Sequence, residues 1–335
     1  MKIGFRVLSD FREAVESRPR LSSDTAPSLI ALAVVAVVSV VGLGIYFLTG
    51  IGPDGKGMVS LGGLVIALLV GIAFCWWRRM ERELLALRGI CELIVIMVSV
   101  GLLSYAGTAV ALPLRDSWFH AADRTLGFDW AYWVAVMNEY PRISRSLSWA
   151  YGTMLFQTFA LVVLLGATLR RRELNRFLLA YLICGVATVV VGTLLPGITP
   201  LVYLGLNPAD YPNVSVTGGS MAVDHIMAMR EGKMRLIDLH GAQGLICFPS
   251  FHTISAVLLV YGFWGVPYVR WFGLMLNAVM LVSIPVVGLH YLVDVLAGGL
   301  VGVAGWYAGG WLMMHEDHIR QAMGEFFRMR TPRVT

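Results

Sequence analysis

The sequence predicts an all-α fold, a polytopic membrane helical bundle, and three observations support this class. Hydrophobic residues make up 57% of the 335 positions and charged residues only 14%, against about 25% charged in a typical soluble domain. The mean hydropathy is +0.72. Apolar runs of about 20 residues, long enough to cross a bilayer as helices, recur along the chain. A water-soluble fold could not bury this much apolar surface.

The apolar runs predict about eight transmembrane helices, at 28–49, 58–77, 90–112, 150–169, 177–198, 248–266, 271–289 and 291–313. They divide the chain into a cytoplasmic N-terminal segment (1–27), three N-terminal transmembrane helices (28–112), an aromatic-rich extracytoplasmic interfacial segment (113–149), five further helices (150–313) and a cytoplasmic tail (314–335). A polar, turn-rich loop at 199–247 precedes the sixth helix, and its fold is not predicted.

The basic residues orient this predicted bundle. With both termini in the cytoplasm, 18 of the 26 Lys and Arg residues fall inside and 8 outside. An excess of cytoplasmic Lys and Arg is the usual signature of membrane topology. The positive net charge is therefore interpreted as orientation of helices and not as a nucleic-acid surface. The four cysteines, at 75, 91, 184 and 247, lack CxxC spacing and are expected to be buried free thiols, without disulfides or a zinc–thiolate site.

The start of the sixth predicted helix carries polar groups that suit an anion. It reads Phe248-Pro249-Ser250-Phe251-His252-Thr253. A helix N-terminus has unpaired backbone N–H groups and the positive end of the helix dipole. Ser250 adds a hydroxyl donor, and His252 can donate a proton near neutral pH. A helix cap is the structural alternative for this pair.

The start of the eighth predicted helix reads His290-Tyr291-Leu292-Val293-Asp294. His290 and Asp294 are spaced i,i+4, which places them on one helical face. A carboxylate in that position can accept a hydrogen bond from one imidazole nitrogen and leave the other as a nucleophile. A polar pair that bridges two helices is the alternative. In the eight-helix topology, the sixth and eighth helices both begin outside, so the two motifs are expected at one depth.

The motifs PSFH and HYLVD resemble the second and third signature motifs of the type 2 phosphatidic acid phosphatase (PAP2) superfamily. The branch that they resemble most contains the inositol-phosphorylceramide and sphingomyelin synthases, and the stretch 123–130 is similar to an upstream element of that branch. The resemblance implies that 150–313 forms PAP2-like catalytic helices within a six-helix core. It also implies an integral membrane lipid phosphotransferase or phosphatase that passes a phospho-headgroup through a phosphohistidine to an alcohol acceptor.

The resemblance assigns a role to each motif residue. His290 would attack phosphorus, Asp294 would orient His290 and stabilise its positive charge, and His252 would act as acid and then as base. Ser250 would hold phosphate oxygens, and Phe251 and Tyr291 would contact the substrate. No metal or organic cofactor is required, and the partners would be a lipid phosphoester donor and an alcohol or lipid acceptor in the bilayer. The site would face the extracytoplasmic side of a bacterial inner membrane.

Two departures from the family pattern concern positive charge. The first motif, KxxxxxxRP, is absent, and Ser283 is followed by Ile284 where the phosphatases have arginine. Loss of these arginines is normal in the synthase branch, which favours transfer to an alcohol over hydrolysis. Lys233 and Arg235 are the candidates to replace the missing charge.

Other interpretations stay open at this stage. His252, His290 and Asp294 could instead ligate a metal in a membrane hydrolase, since two histidines and a carboxylate can make a zinc site. The chain could also be a non-catalytic lipid carrier or flippase. Asp123 and Asp129 admit either a headgroup contact or a helix cap.

Overall fold

The computed structural model describes residues 28–214, 217–239, 241–242 and 244–330. The predicted cytoplasmic segment 1–27 and the last residues of the tail, 331–335, lie outside the described residues. Within the described part, the protein forms 13 α-helices and only one pair of two-residue strands. The predicted fold class, an all-α polytopic helical bundle, is confirmed.

The elements follow one another in this order: α1 (Leu29–Thr49), β1 (Gly52–Pro53), α2 (Gly55–Arg78), α3 (Glu81–Ala109), α4 (Asp116–Thr125), α5 (Trp130–Glu139), α6 (Pro141–Gly152), α7 (Met154–Ala167), α8 (Arg171–Leu194), α9 (Pro200–Tyr203), a 3-10 turn (Pro208–Asp210), α10 (Thr217–Arg230), β2 (Leu236–Ile237), α11 (Phe251–Trp264), α12 (Arg270–Val287) and α13 (Leu292–Arg330).

Among the described residues, six helices are long and apolar enough to cross a membrane: α1, α2, α3, α8, α12 and the part of α13 from Leu292 to Glu316. The pair α6 and α7, bent by 44° at its break, makes a seventh if it is one span. Helix α11 is apolar but has only 14 residues, about 21 Å at 1.5 Å per residue. These helices correspond in order to the eight predicted ones, and the protein is a multi-pass membrane protein.

The core of the bundle lies around α8. Helix α8 packs against α3, α11 and α13, and α11 in turn packs against α12 and α13. In α8, 61% of the apolar stretch is buried, whereas only 6% of that in α2 is. Helices α1 and α2 therefore form the periphery and present apolar side chains outward, as surfaces in contact with lipid do.

Two spans are longer than the hydropathy predicted. Helix α3 begins at Glu81 and not near residue 90, and three of the charged residues before or near that position are paired: Glu81, Arg88 and Glu92. Arg88 Nε lies 3.2 Å from Glu92 Oε1, one turn further along, and the Arg88 guanidinium also donates to Asn175. Helix α13 continues to Arg330, beyond the predicted end at residue 313.

The two long loops are also structured. The segment 113–149 forms α4, α5 and most of α6. The segment 199–247 contains α9, the 3-10 turn, α10 and β2. Strand β2 pairs in parallel with β1, in the register Gly52 to Leu236 and Pro53 to Ile237. This pairing joins the turn between α1 and α2 to the chain that leads into α11.

Candidate active site

His290 and Asp294 form a buried pair at the start of α13. His290 lies in the turn before the helix and Asp294 in its first turn. The prediction that both lie on one helical face is therefore wrong, because the helix begins only at Leu292. The His290 Nδ1 atom is 3.1 Å from Asp294 Oδ2, and the Tyr291 backbone N–H donates to the same oxygen at 2.9 Å. Asp294 is fully buried, and 7% of His290 is exposed. A proton on Nδ1 would leave the lone pair of the neutral ring on Nε2.

Cys247 contacts both His290 and Asp294, and the sequence did not predict this contact. Its thiol donates to Asp294 Oδ2 at 3.2 Å, and Sγ lies 4.0 Å from His290 Nδ1. Burial, with Asp294 close by, raises the pKa of the Cys247 thiol well above its ordinary value of 9.0. The thiol is therefore protonated and acts as a donor to the carboxylate. All four cysteines are free, and Cys75, Cys184 and Cys247 are buried as expected, whereas Cys91 is half-buried.

His252 lies in the first turn of α11 and contacts Tyr151, near the end of α6. The Tyr151 hydroxyl oxygen is 3.1 Å from His252 Nδ1, and the two rings stack with centroids 3.9 Å apart. If Nδ1 donates its proton to the hydroxyl oxygen, the lone pair of the neutral ring lies on Nε2. No pattern in the sequence connects Tyr151 with His252.

Ser250 is the N-cap of α11. Its hydroxyl oxygen accepts the Thr253 N–H at 3.4 Å, and its backbone N–H donates to the Asp294 carbonyl oxygen at 3.1 Å. A Cβ on Gly298 would lie 2.5 Å from the Ser250 carbonyl oxygen, so this close approach of α11 and α13 needs glycine there. Ser250 is fully buried and joins the two helices that carry His252 and Asp294.

Asp123 caps the helix on which Asp294 lies. Its carboxylate oxygens accept the backbone N–H groups of Leu292 at 2.8 Å and Val293 at 2.9 Å. Of the two interpretations of Asp123, the structure therefore shows a helix cap, although for α13 and not for its own helix. Asp129 caps its own helix α5 through the Tyr132 N–H at 3.2 Å.

Asp116 also stabilises the turn that contains His290, through a hydrogen bond with Tyr291. Its Oδ1 accepts the Tyr291 hydroxyl at 3.0 Å and the Ile198 N–H at 3.0 Å. Burial raises the pKa of the Asp116 and Asp123 carboxyls above the ordinary value of 3.8. Tyr291 is fully buried and links Asp116 to the turn that holds His290. A single Asp next to aromatic residues gave no sequence signal for this role.

A cavity of about 650 Å³ connects the two histidines. His252, His290, Cys247, Tyr151 and Phe251 all line it. Most of its remaining wall is apolar, and α3 contributes Met97, Val98, Gly101, Leu102, Ser104 and Tyr105. A smaller crevice of about 140 Å³ between α3 and α8 shares Gly101, Ser104, Tyr181 and Phe251 with it. The cavity therefore combines two imidazoles with an apolar surface.

The other predicted substrate residues do not line this cavity. Lys233 is exposed, and its Nζ lies 2.5 Å from Glu231 Oε2. Arg235 is also exposed and donates to the Thr49 carbonyl oxygen at 3.0 Å. Ser250 and Tyr291 lie behind the wall of the cavity. Among the described lining residues there is no Lys or Arg.

Three potential metal ligands lie together at the same place. The ligand atoms of Cys247, His290 and Asp294 are all within 4.8 Å of one another. His252 does not belong to this group within the described part of the chain. The donor set brought together by the fold thus differs from the His252, His290 and Asp294 set considered from the sequence.

Comparison with known proteins places this geometry in a family. No curated protein and no solved structure matches the chain. A family model described as the PAP2 superfamily matches residues 117–308, which is more than half of the chain. The match runs from α4 to α13 and includes His252, His290 and Asp294, while α1, α2 and α3 precede it. The chain therefore belongs to the PAP2 superfamily.

Proposed function

We propose that this protein is an integral membrane lipid phosphotransferase or phosphatase that moves a phospho-headgroup through a phosphohistidine on His290. The observation that carries the proposal is the buried bond from His290 Nδ1 to Asp294, together with the opening of His290 and His252 into one cavity. Membership of the PAP2 superfamily supports phosphatase or phosphotransferase activity.

In the first step, the Nε2 lone pair of His290 attacks phosphorus. The bond from phosphorus to the leaving oxygen breaks and its electron pair goes to that oxygen. His252, which enters this step as an imidazolium, donates its Nε2 proton to the oxygen and becomes neutral. Asp294, 3.1 Å from Nδ1, stabilises the positive charge that develops on the phosphorylated ring. An orienting carboxylate of this kind sets the tautomer of the imidazole and stabilises its cation.

In the second step, His252 accepts the proton of an incoming hydroxyl while the oxygen attacks phosphorus. The phosphorus–nitrogen bond breaks and its electron pair returns to Nε2 of His290. An alcohol acceptor gives a new phosphoester, and water gives free phosphate. The apolar walls of the cavity support a lipid as substrate, and the resemblance to the synthase branch supports an alcohol as acceptor.

The described cavity wall contains no Lys or Arg. Other hydrogen-bond donors must therefore stabilise the negative charge of the phosphate. The first amides of α11, those of Phe251 and His252, have no acceptor within their own helix. They lie at the positive end of the helix dipole, where anions bind. The corresponding amides of α13 are occupied by Asp123, so α11 is the helix proposed to hold phosphate.

The location of the site is part of the proposal. The distribution of 18 and 8 basic residues supports cytoplasmic termini. With that orientation, α11 and α13 begin on the extracytoplasmic side, which in a bacterial inner membrane faces the periplasm. The donor would then enter the cavity from the outer leaflet.

The test is turnover of a lipid panel by the purified protein in detergent. The panel contains phosphatidic acid, phosphatidylinositol, phosphatidylglycerol and a polyprenyl diphosphate, each with and without ceramide, diacylglycerol or inositol. His290→Ala should abolish turnover and His315→Ala, an exposed histidine on α13, should not. An acid-labile phosphoryl group trapped on the wild type and absent from His290→Ala would support the intermediate. Equal turnover by His290→Ala and the wild type would refute the proposal.

A further inference from the structure

We propose that Cys247, His290 and Asp294 form a binding site for a thiophilic divalent cation such as Zn²⁺, and that this cation inactivates His290. The binding site stands on geometry alone, whereas its inhibitory effect rests on the proposed function. Cysteine spacing gives no sign of this site, because its ligands come from two segments more than 40 residues apart in the chain.

The distances between the ligand atoms match one face of a tetrahedral zinc site. Zinc binds sulfur at about 2.3 Å and nitrogen or oxygen at about 2.0–2.2 Å. Tetrahedral angles then require ligand separations of about 3.3–3.6 Å. The observed separations are 3.1 Å from Nδ1 to Oδ2, 3.2 Å from Sγ to Oδ2 and 4.0 Å from Sγ to Nδ1. Shifts of about half an ångström would satisfy all three bonds.

The charges and surroundings of the three ligands also suit a cation. A thiolate and a carboxylate together balance the charge of Zn²⁺, so the loaded site would be neutral. Asp294 Oδ1 is buried without a hydrogen-bond partner, which makes this carboxylate an under-satisfied group. The Tyr291 N–H, at 2.9 Å from Oδ2, would remain in place and orient the ligating carboxylate, as outer-shell donors do.

The site is accessible from the cavity. Cys247 and His290 both line it, so a cation in the cavity lies beside two of the three ligand residues. Three protein ligands leave a fourth position for water or a phosphate oxygen, as in open zinc sites. His252 would remain free of the metal.

Metal binding would change the tautomer of His290. A neutral imidazole that uses its Nδ1 lone pair for the metal carries its only proton on Nε2. The Nε2 lone pair that attacks phosphorus is then no longer present. The thiol of Cys247 releases its proton to solvent as the sulfur–metal bond forms, so one proton leaves for each cation bound. The cation thereby converts the nucleophile into a metal ligand.

The first experiment measures binding to the full chain in detergent, with Co²⁺ as a spectroscopic probe and Zn²⁺ as competitor. The wild type should bind one cation with a sulfur-to-cobalt charge-transfer band and a tetrahedral visible spectrum. Cys247→Ser should lose the band and weaken affinity at least about 100-fold, because loss of an outer-shell partner alone costs about 10–100-fold. The matched control is Cys184→Ser, another buried cysteine, which should retain both. No binding by the wild type, or an unchanged band in Cys247→Ser, would overturn the site.

The second experiment measures lipid turnover at increasing Zn²⁺. Wild-type turnover should fall as the site fills and return on chelation, and Cys247→Ser should need at least about 100-fold more zinc for the same loss, since it lacks a direct ligand. If zinc binds but no lipid is turned over under any condition, the site stands and the proposed function fails. Turnover that survives a filled site, or that requires the metal, would overturn the inhibitory role.

Discussion

Oδ2 of Asp294 accepts from His290 Nδ1 at 3.1 Å, although only Asp294 belongs to helix α13. We expect Asp294→Asn to lower kcat about 10⁴-fold, as the loss of an orienting carboxylate does in serine proteases. The physical reason is that an amide can donate to Nδ1 and so favour the wrong tautomer, and that it cannot stabilise the charged imidazole. Lipid turnover measures this effect, and Asp210→Asn, on an exposed turn, is the control. A loss of less than tenfold would contradict the role of Asp294.

Tyr151 is expected to act through His252 as a positioning residue. Tyr151→Phe removes the hydroxyl 3.1 Å from Nδ1 and keeps the stacked ring. General acid catalysis is worth about 10²–10⁴-fold, so alkyl phosphoesters should lose at least about tenfold in kcat. A nitrophenyl phosphoester, whose leaving group needs no proton, should be much less affected. Tyr268→Phe, at 97% exposure, is the control, and equal losses on both substrates would argue for a purely structural Tyr151.

Removal of the cap on α13 should cost stability and activity together. Asp123→Ala leaves the N–H groups of Leu292 and Val293 without their acceptor. The loss of a helix cap costs about 1–2 kcal/mol, and the turn that carries His290 would loosen. Asp129→Ala removes an exposed cap of α5 and should leave turnover near that of the wild type. Thermal unfolding and turnover of both variants test the difference, and equal behaviour would contradict the assignment.

The Asp116 carboxyl should make stability depend on pH. Burial raises its pKa in the folded state above 3.8, so the folded protein holds this proton more tightly than the unfolded chain does. Stability from this group is therefore full below pH 3.8 and declines as pH rises through the folded-state pKa. The melting temperature of the wild type minus that of Asp116→Asn should fall across this window. A difference that grows with pH would show that the hydrogen bonds from Tyr291 and Ile198 outweigh burial.

Helix α3 should affect which lipids fit, although it precedes the region matched by the family model. Gly101 lines both the large cavity and the crevice towards α8, and a Cβ there meets nothing within 4 Å. Gly101→Leu should raise KM for long-chain lipids several-fold and leave a short-chain analogue unaffected. Gly63→Leu is the matched control, since Gly63 on α2 is exposed and equally unobstructed. Equal effects on both chain lengths would exclude a lipid slot along α3.

The sequence predicted what depends on local pattern. Hydropathy located the spans, because a helix in lipid must satisfy its own backbone groups. Spacing of i,i+4 identified His290 and Asp294, and the Pro-Ser-Phe-His segment identified His252, although the structure begins α11 at Phe251, after the proline. These residues do line or border one cavity, while their catalytic roles remain predictions.

The rest of the site depends on contacts between distant segments. Tyr151 meets His252 across 101 positions, and Asp116 meets Tyr291 across 175. No periodicity relates such residues. In the sequence, nothing distinguished Cys247 from the other three cysteines, which were all expected to be buried free thiols. Lys233 was selected by charge and by nearness in the chain to α11, but chain proximity did not bring it to the cavity.

The hydrogen bond from Leu292 to Asp123 spans 169 positions and has a consequence for biogenesis. The ribosome synthesises Asp123 long before the turn that Asp123 caps. During most of translation, the N–H groups of α13 that donate to this carboxylate do not yet exist. His290 and Asp294 emerge after nearly all of the other spans have been inserted. A nascent chain that stalls or is cleaved before this point carries the lipid-facing scaffold without the His290–Asp294 pair. The candidate site therefore forms only after α13 has been synthesised.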